Sequence, residues 1–167
     1  PTTTADLGPD AERFEARIDI IGGPDWLAAD DAGLWVKVDD GRVVRVDPDT
    51  DEVDAEVLAG SDTEICQGIG AGDGAIWPCD ETEVVRLDPS TVEVAAEVEV
   101  DKYYDQGQIP VAFGRAWVLA GDGSRLVGVR EDAVDLEADL GVRCAELAAS
   151  VDALWGACIE DGTAVRI

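Results

Sequence analysis

The residues of this chain whose chemistry is easiest to place are its four cysteines. Cys66 and Cys79 flank Trp77, and Cys144 and Cys158 flank Trp155; Cys66 and Cys144 each precede their Trp by 11 residues. A hairpin through CQGIGAGDGAIWPC that turns about Gly72-Asp73 would set Cys66 opposite Cys79. A non-hydrogen-bonded antiparallel pair brings Cα atoms to about 4.5 Å, within disulfide reach. The second pair repeats this with one extra residue. Of the three connectivities open to four cysteines, this register selects Cys66–Cys79 with Cys144–Cys158. Zinc is the rival use, but there is no CxxC spacing and no His to support it. Two disulfides imply an oxidising compartment, so the expected location is extracellular or at the cell surface.

The absence of His also removes the commonest general base, and Ser/His/Asp catalysis with it. Carboxylates are plentiful. Asp47, Asp49 and Asp51 in DPDTDEVD, with Asp54 close by, match the opening of a calcium loop. The match then fails, because Glu52 stands where Gly is needed and Leu58 where the bidentate Glu is needed. A plain turn is the better reading; calcium is the only cofactor left open, and no metal ligands are assigned. The candidate binding residues lie elsewhere. VDKYYDQGQIP places Tyr103 and Tyr104 beside Asp105, and adjacent tyrosines in a polar loop offer amphipathic contact area at low entropic cost. Trp26 joins them as a candidate rim residue, with wedge filler as the other reading. No residue is assigned a catalytic role.

Something must position these groups, and composition bounds what it is. The chain has 167 residues, 46% of them apolar, enough for one domain with a real core. No apolar run approaches the roughly 18 residues needed to span a bilayer. With 38 acidic and 12 basic residues the formal charge is -26, which repels phosphate backbones and anionic lipid surfaces alike. Nucleic acid and membrane insertion are therefore not expected. Residues 1–11, beginning PTTTADLGPD, read as a polar tether.

The rest is a repeat. Trp35, Trp77, Trp117 and Trp155 sit in the matching contexts GLWV, AIWP, RAWV and ALWG, 42, 40 and 38 residues apart. Each is preceded by a short strand-like run and a turn, and followed by a second turn, DDG, DET, GDG or EDG. Then come RVVRVD, EVVRLD, RLVGVR and TAVRI. The first two run through Asp-Pro turns, and the first three lead into EVDAEV, EVAAEV and AVDLEA, apolar on alternate positions. Each unit is thus four short antiparallel strands, A to D, in about forty residues, the signature of a β-propeller blade. The expected fold is all-β, a propeller of four four-stranded blades at about 22–58, 65–100, 108–140 and 144–167.

These units, from Trp through VVRVDPDTDEVDAEV, resemble the YVTN or YncE-like family of β-propeller repeats, and virginiamycin B lyase-like propellers carry similar units. The likeness covers residues 12–167. It implies the propeller architecture; the His that virginiamycin B lyase-like enzymes use has no counterpart here.

The fourth unit lacks strand D. RFEARI at 13–18 matches the D strands, with Phe14, Ala16 and Ile18 on the apolar positions, so it is expected to close the ring by pairing with the last C strand. Two closures satisfy this: four blades in one chain, or eight blades in a strand-swapped homodimer. The expected function is a non-catalytic, secreted or surface-tethered module for binding, sensing or assembly, serving a protein or small polar ligand. The alternative is a carboxylate-metal-dependent hydrolase or lyase at the channel mouth.

Overall fold

Alternation of apolar and polar residues over six or seven positions, broken by Gly, Asp and Pro, dictates short strands and tight turns. The computed structural model describes residues 16–60, 68–103 and 106–167. They form four antiparallel meanders with strands in chain order. Blade 1 is β1 (Pro24–Asp30), β2 (Gly33–Val38), β3 (Arg42–Asp47) and β4 (Glu52–Leu58). Blade 2 is β5 (Ile69–Gly72), β6 (Ala75–Asp80), β7 (Glu83–Asp88) and β8 (Glu93–Glu99). Blade 3 is β9 (Val111–Ala112), β10 (Arg115–Ala120), β11 (Arg125–Arg130) and β12 (Ala133–Asp139). Blade 4 has β13 (Glu146–Ala149), β14 (Leu154–Cys158) and β15 (Thr163–Arg166). Among the described residues there is no helix long and apolar enough to cross a membrane.

The turns repeat with the sequence. The third and fourth strands of blades 1, 2 and 3 share a bulge, at Arg45/Val46, Arg86/Leu87 and Gly128/Val129. It lets one residue of the outer strand project between pairs. Asp47 and Asp88 start their turns by accepting the backbone N–H two residues on, at 2.7 and 2.8 Å. One register differs from expectation. The β5–β6 turn is centred on Asp73-Gly74, with Gly72 paired to Ala75. Both central residues have positive φ, 50° and 74°, as a type I′ turn requires, and Asp-Gly meets that demand better than Gly-Asp. Cys66 lies outside the described residues. Cys79 is disulfide-bonded. Cys144–Cys158 is bonded as expected.

The core sits in the seams between blades. Trp35, Val43, Ile76 and Leu87 pack together between blades 1 and 2. Trp77, Val84, Val118 and Val127 do so between blades 2 and 3, and Trp117, Leu126, Leu147 and Leu154 between blades 3 and 4. The repeated Trp of each of the first three blades therefore faces the next blade. Trp155 has no such neighbour among the described residues and is 41% exposed. Of the expected closing strand, Phe14 lies outside the described residues. Ala16, Arg17 and Ile18 lie in no strand, and β15, their expected partner, is only four residues long and mostly exposed.

Candidate functional site

In such meanders the loops entering each blade and the turns between its second and third strands lie at one end. There residues 101–103 and 106–110, between β8 and β9, are held by two buried polar side chains. Gln106, fully buried, donates its amide to the Gln108 and Trp117 carbonyls at 2.7 and 3.2 Å, and accepts from the Leu119 N–H at 2.7 Å. Lys102, 5% exposed, donates its Nζ to the Tyr103 and Gln106 carbonyls at 3.1 and 2.7 Å. Leaving such groups unsatisfied would cost roughly 1–3 kcal/mol each, so both side chains lock the loop rather than decorate it. The Tyr103 N–H in turn donates to the Leu119 carbonyl at 2.8 Å.

Tyr103 is thereby set, half-buried, against the apolar cluster of blades 3 and 4. It lines a cleft of ≈ 180 Å³ with Arg143, Cys144, Ala145, Ile159 and Glu160. The Cys144–Cys158 disulfide ties the two walls together, because Arg143 and Ile159 are the next residues along the chain on either side. Arg143 bonds Glu160 at 2.7 Å and the Asp122 carbonyl at 3.0 Å. Hydrogen bonds from Ser124, with the Arg143 charge a lesser cause, hold the Asp122 carboxyl below the usual range. A phenol, an ion pair and Ile159, which is 74% exposed, give this cleft contact chemistry.

Trp26 goes elsewhere. It belongs to the cluster of blades 1 and 2 and lays its ring on Gly107, where a Cβ would collide with it. Glu146 accepts from the Gly107 and Gln108 N–H groups at 3.0 and 3.3 Å. Trp26, Gly107 and Glu146 thus knit blades 1, 3 and 4 where their first strands converge. The structure separates Trp26 from the residues lining the Tyr103 cleft; Tyr104 and Asp105 lie outside the described residues. Arg143, Ile159 and Glu160 escaped the sequence reading. The signal available for them was their adjacency to the two cysteines of one disulfide.

The carboxylates of the calcium-like stretch do not converge. Asp54 is held by Arg45 at 2.8 Å, which keeps its carboxyl below the usual range, and Asp47 is engaged in its turn. Among the described residues no three His, Cys, Asp or Glu side chains are grouped to hold a metal.

No family model and no curated protein matches the chain. Solved structures do. It superposes on the WD40 domain of Neurospora crassa Pan2 with a TM-score of 0.68 at 11% identity, covering 93% of this chain and 54% of that one. The computationally designed Ika4 protein gives 0.67 at 12% identity, with 90% and 95% covered. Glutaminyl cyclase of Myxococcus xanthus gives 0.53 at 11%, with 80% and 67% covered. The fold is a β-propeller. The chain spans about half the length of the Pan2 domain, and at these identities the likeness concerns architecture alone.

Proposed function

We propose that this propeller is a non-catalytic binding or assembly module of an oxidising compartment, secreted or held at the cell surface. Within the propellers its repeats are read as the YVTN or YncE-like kind, on the strength of the run from Trp35 through VVRVDPDTDEVDAEV. The partner, a protein or a small polar ligand, docks at the Tyr103 cleft. One observation carries this reading: a disulfide joins the two walls of a cleft that holds an amphipathic phenol, an ion pair and an exposed Ile159. Such a surface is rigid and half apolar, as contact sites are, and its cross-link persists outside the cytoplasm.

The test uses the full chain immobilised against culture supernatant and envelope extract of its source. The wild type should retain a partner that a Tyr103→Ala, Ile159→Asp double variant loses and Trp155→Ala keeps. Thiol labelling of the protein recovered from cells should find none free. Retention unchanged by the double variant, or reduced cysteines in the recovered protein, overturns the proposal.

A further inference from the structure

Blades 1, 3 and 4 treat their repeated Trp alike. A guanidinium lies over each ring: Arg45 over Trp35 at 5.7 Å, Arg115 over Trp117 at 5.6 Å and Arg166 over Trp155 at 5.8 Å. A carboxylate holds each guanidinium: Asp54 at 2.8 Å, Asp135 at 2.7 Å and Asp152 at 2.9 Å. Each indole N–H donates to an acceptor five residues earlier. These are the Asp30 carboxylate at 3.0 Å, the Ala112 carbonyl at 2.8 Å and the Ser150 hydroxyl at 3.4 Å.

Blade 2 has the Trp and the Arg but neither acceptor. Five residues before Trp77 stands Gly72, which lacks the side-chain acceptor of Asp30 and Ser150 and whose carbonyl, unlike that of Ala112, takes no hydrogen bond from the indole. The shared bulge places Ala95 on β8 where Asp54 stands on β4 and Asp135 on β12. Among the described residues, neither the Trp77 indole nor the Arg86 guanidinium makes a hydrogen bond or ion pair. Asp88 feels the Arg86 charge only as the least of its influences.

Both residues line a cleft of ≈ 270 Å³ between blades 2 and 3, at the end opposite the Tyr103 cleft. Arg115, Arg130 and Val111 complete its walls, and Asp73 and Glu131 stand at its turns. Arg115 and Arg130 share Asp135, at 2.7 and 3.0 Å, and Asp73 accepts from the Gly114 N–H at 3.0 Å. Among the described residues, that leaves the Arg86 guanidinium unmatched inside a protein of charge -26.

We propose that this cleft binds a carboxylate, which accepts from the Arg86 guanidinium with the Trp77 N–H as a further donor. Carboxylate is favoured over phosphate because the group that the other blades supply, and blade 2 lacks, is an aspartate. A planar guanidinium also matches a carboxylate fork. The volume lies just below the roughly 300–1,000 Å³ of drug-sized sites, so the ligand is a small organic acid or a peptide C-terminus, with its apolar part on Val111. This site is independent of the Tyr103 cleft.

The experiment follows the indole N–H resonances of the ¹⁵N-labelled full chain at neutral pH and low salt, with Trp77 assigned by Trp77→Phe. Titrants are benzoate, a short peptide with a free C-terminus, the same peptide amidated, and inorganic phosphate. The Trp77 signal should shift saturably with a carboxylate, and Arg86→Gln should weaken binding by about ten-fold or more. Ala95→Asp supplies the internal partner that blades 1 and 3 carry at this position; it should abolish binding while the chain stays folded. Tighter binding of the free-ended peptide than of benzoate identifies a C-terminus as ligand; the reverse identifies a small acid. No saturable shift up to ~10 mM, binding unchanged by Ala95→Asp, or phosphate preferred over every carboxylate overturns the proposal.

Discussion

Blades 3 and 4 carry the same local device in different surroundings. Each stacks an arginine on its repeated Trp, holds that arginine with an aspartate and ties the indole N–H to an acceptor five residues back. Yet Trp117 is 5% exposed and Trp155 is 41% exposed. The difference lies in what comes next. Leu147, Leu154 and the Cys144–Cys158 disulfide of blade 4 close over Trp117. Around Trp155, the side chains of Ala148, Ala157, Ala164 and Arg166 are exposed with it. A blade's own sequence therefore builds the stack, while burial, and most of the stability, comes from its neighbour.

The largest effect should come from emptying the covered site. Trp117→Ala should destabilise by about 3–5 kcal/mol, since it removes a buried indole and leaves a cavity. Trp155→Ala should cost about 1 kcal/mol or less, because little of what it removes is packed. Denaturant midpoints compare the two directly, and equal losses would break the contrast.

Next comes the cover itself. Replacing Cys144 and Cys158 together by Ser should cost about 3 kcal/mol on the chain-entropy account. Trp117 fluorescence should shift toward that of exposed indole, whereas that of Trp155 should not move. Single-Trp variants separate the two signals.

Smaller again is the aspartate that holds the stack. The hydrogen bond from Arg115, with burial opposing it and the Arg115 and Arg130 charges adding to it, keeps the Asp135 carboxyl below its usual range. Its folded-state pKa is thus below its unfolded one. Its stabilisation is present above the unfolded value near 3.9 and is lost as pH falls through the folded value. Asp135→Asn should lower the midpoint at neutral pH and match the wild type in strong acid. Asp152→Asn in blade 4 should stay within about 0.5 kcal/mol at either pH. A neutral-pH loss at Asp152 as large as that at Asp135 would show that surroundings do not set the value of this contact.

The smallest expected effect tests charge rather than cover. Glu83 pairs with Glu99 across β7 and β8, and burial first, then Glu97 and Glu99, raise its carboxyl above the usual range. Its folded pKa exceeds its unfolded one, so it destabilises at neutral pH and stops doing so as pH falls below both. Glu83→Gln should gain about 0.2–1 kcal/mol at neutral pH. Added salt should raise the midpoint of every variant together, through screening of the net charge, and leave the Trp117–Trp155 difference intact.

Much of this was legible in the chain. Trp35, Trp77, Trp117 and Trp155 mark one unit each, and the turn residues between them divide each unit into strands. Cys144 and Cys158 could be paired by their places around one Trp. These readings succeed because each concerns residues within one hairpin, where a period of two and a turn type decide who meets whom. The one-residue slip at Asp73-Gly74 marks the limit of that logic: two adjacent turn dipeptides compete, and backbone angles choose between them.

Contacts between units were decided by the tertiary structure alone. No local pattern says that Gln106 and Lys102 are buried, that Trp26 rests on Gly107, or that Arg143 and Ile159 frame a cleft with Tyr103. Each joins loops or strands whose meeting depends on how whole blades lie against one another. Gly72 and Ala95 were visible as letters, but their meaning as two missing acceptors required the register of three other blades. The sequence by itself determined four similar sheets, the stack inside three of them and the two acceptors that blade 2 lacks. Only packing between sheets decided which stack is buried and which is exposed, because burial belongs to pairs of blades and periodicity describes one at a time.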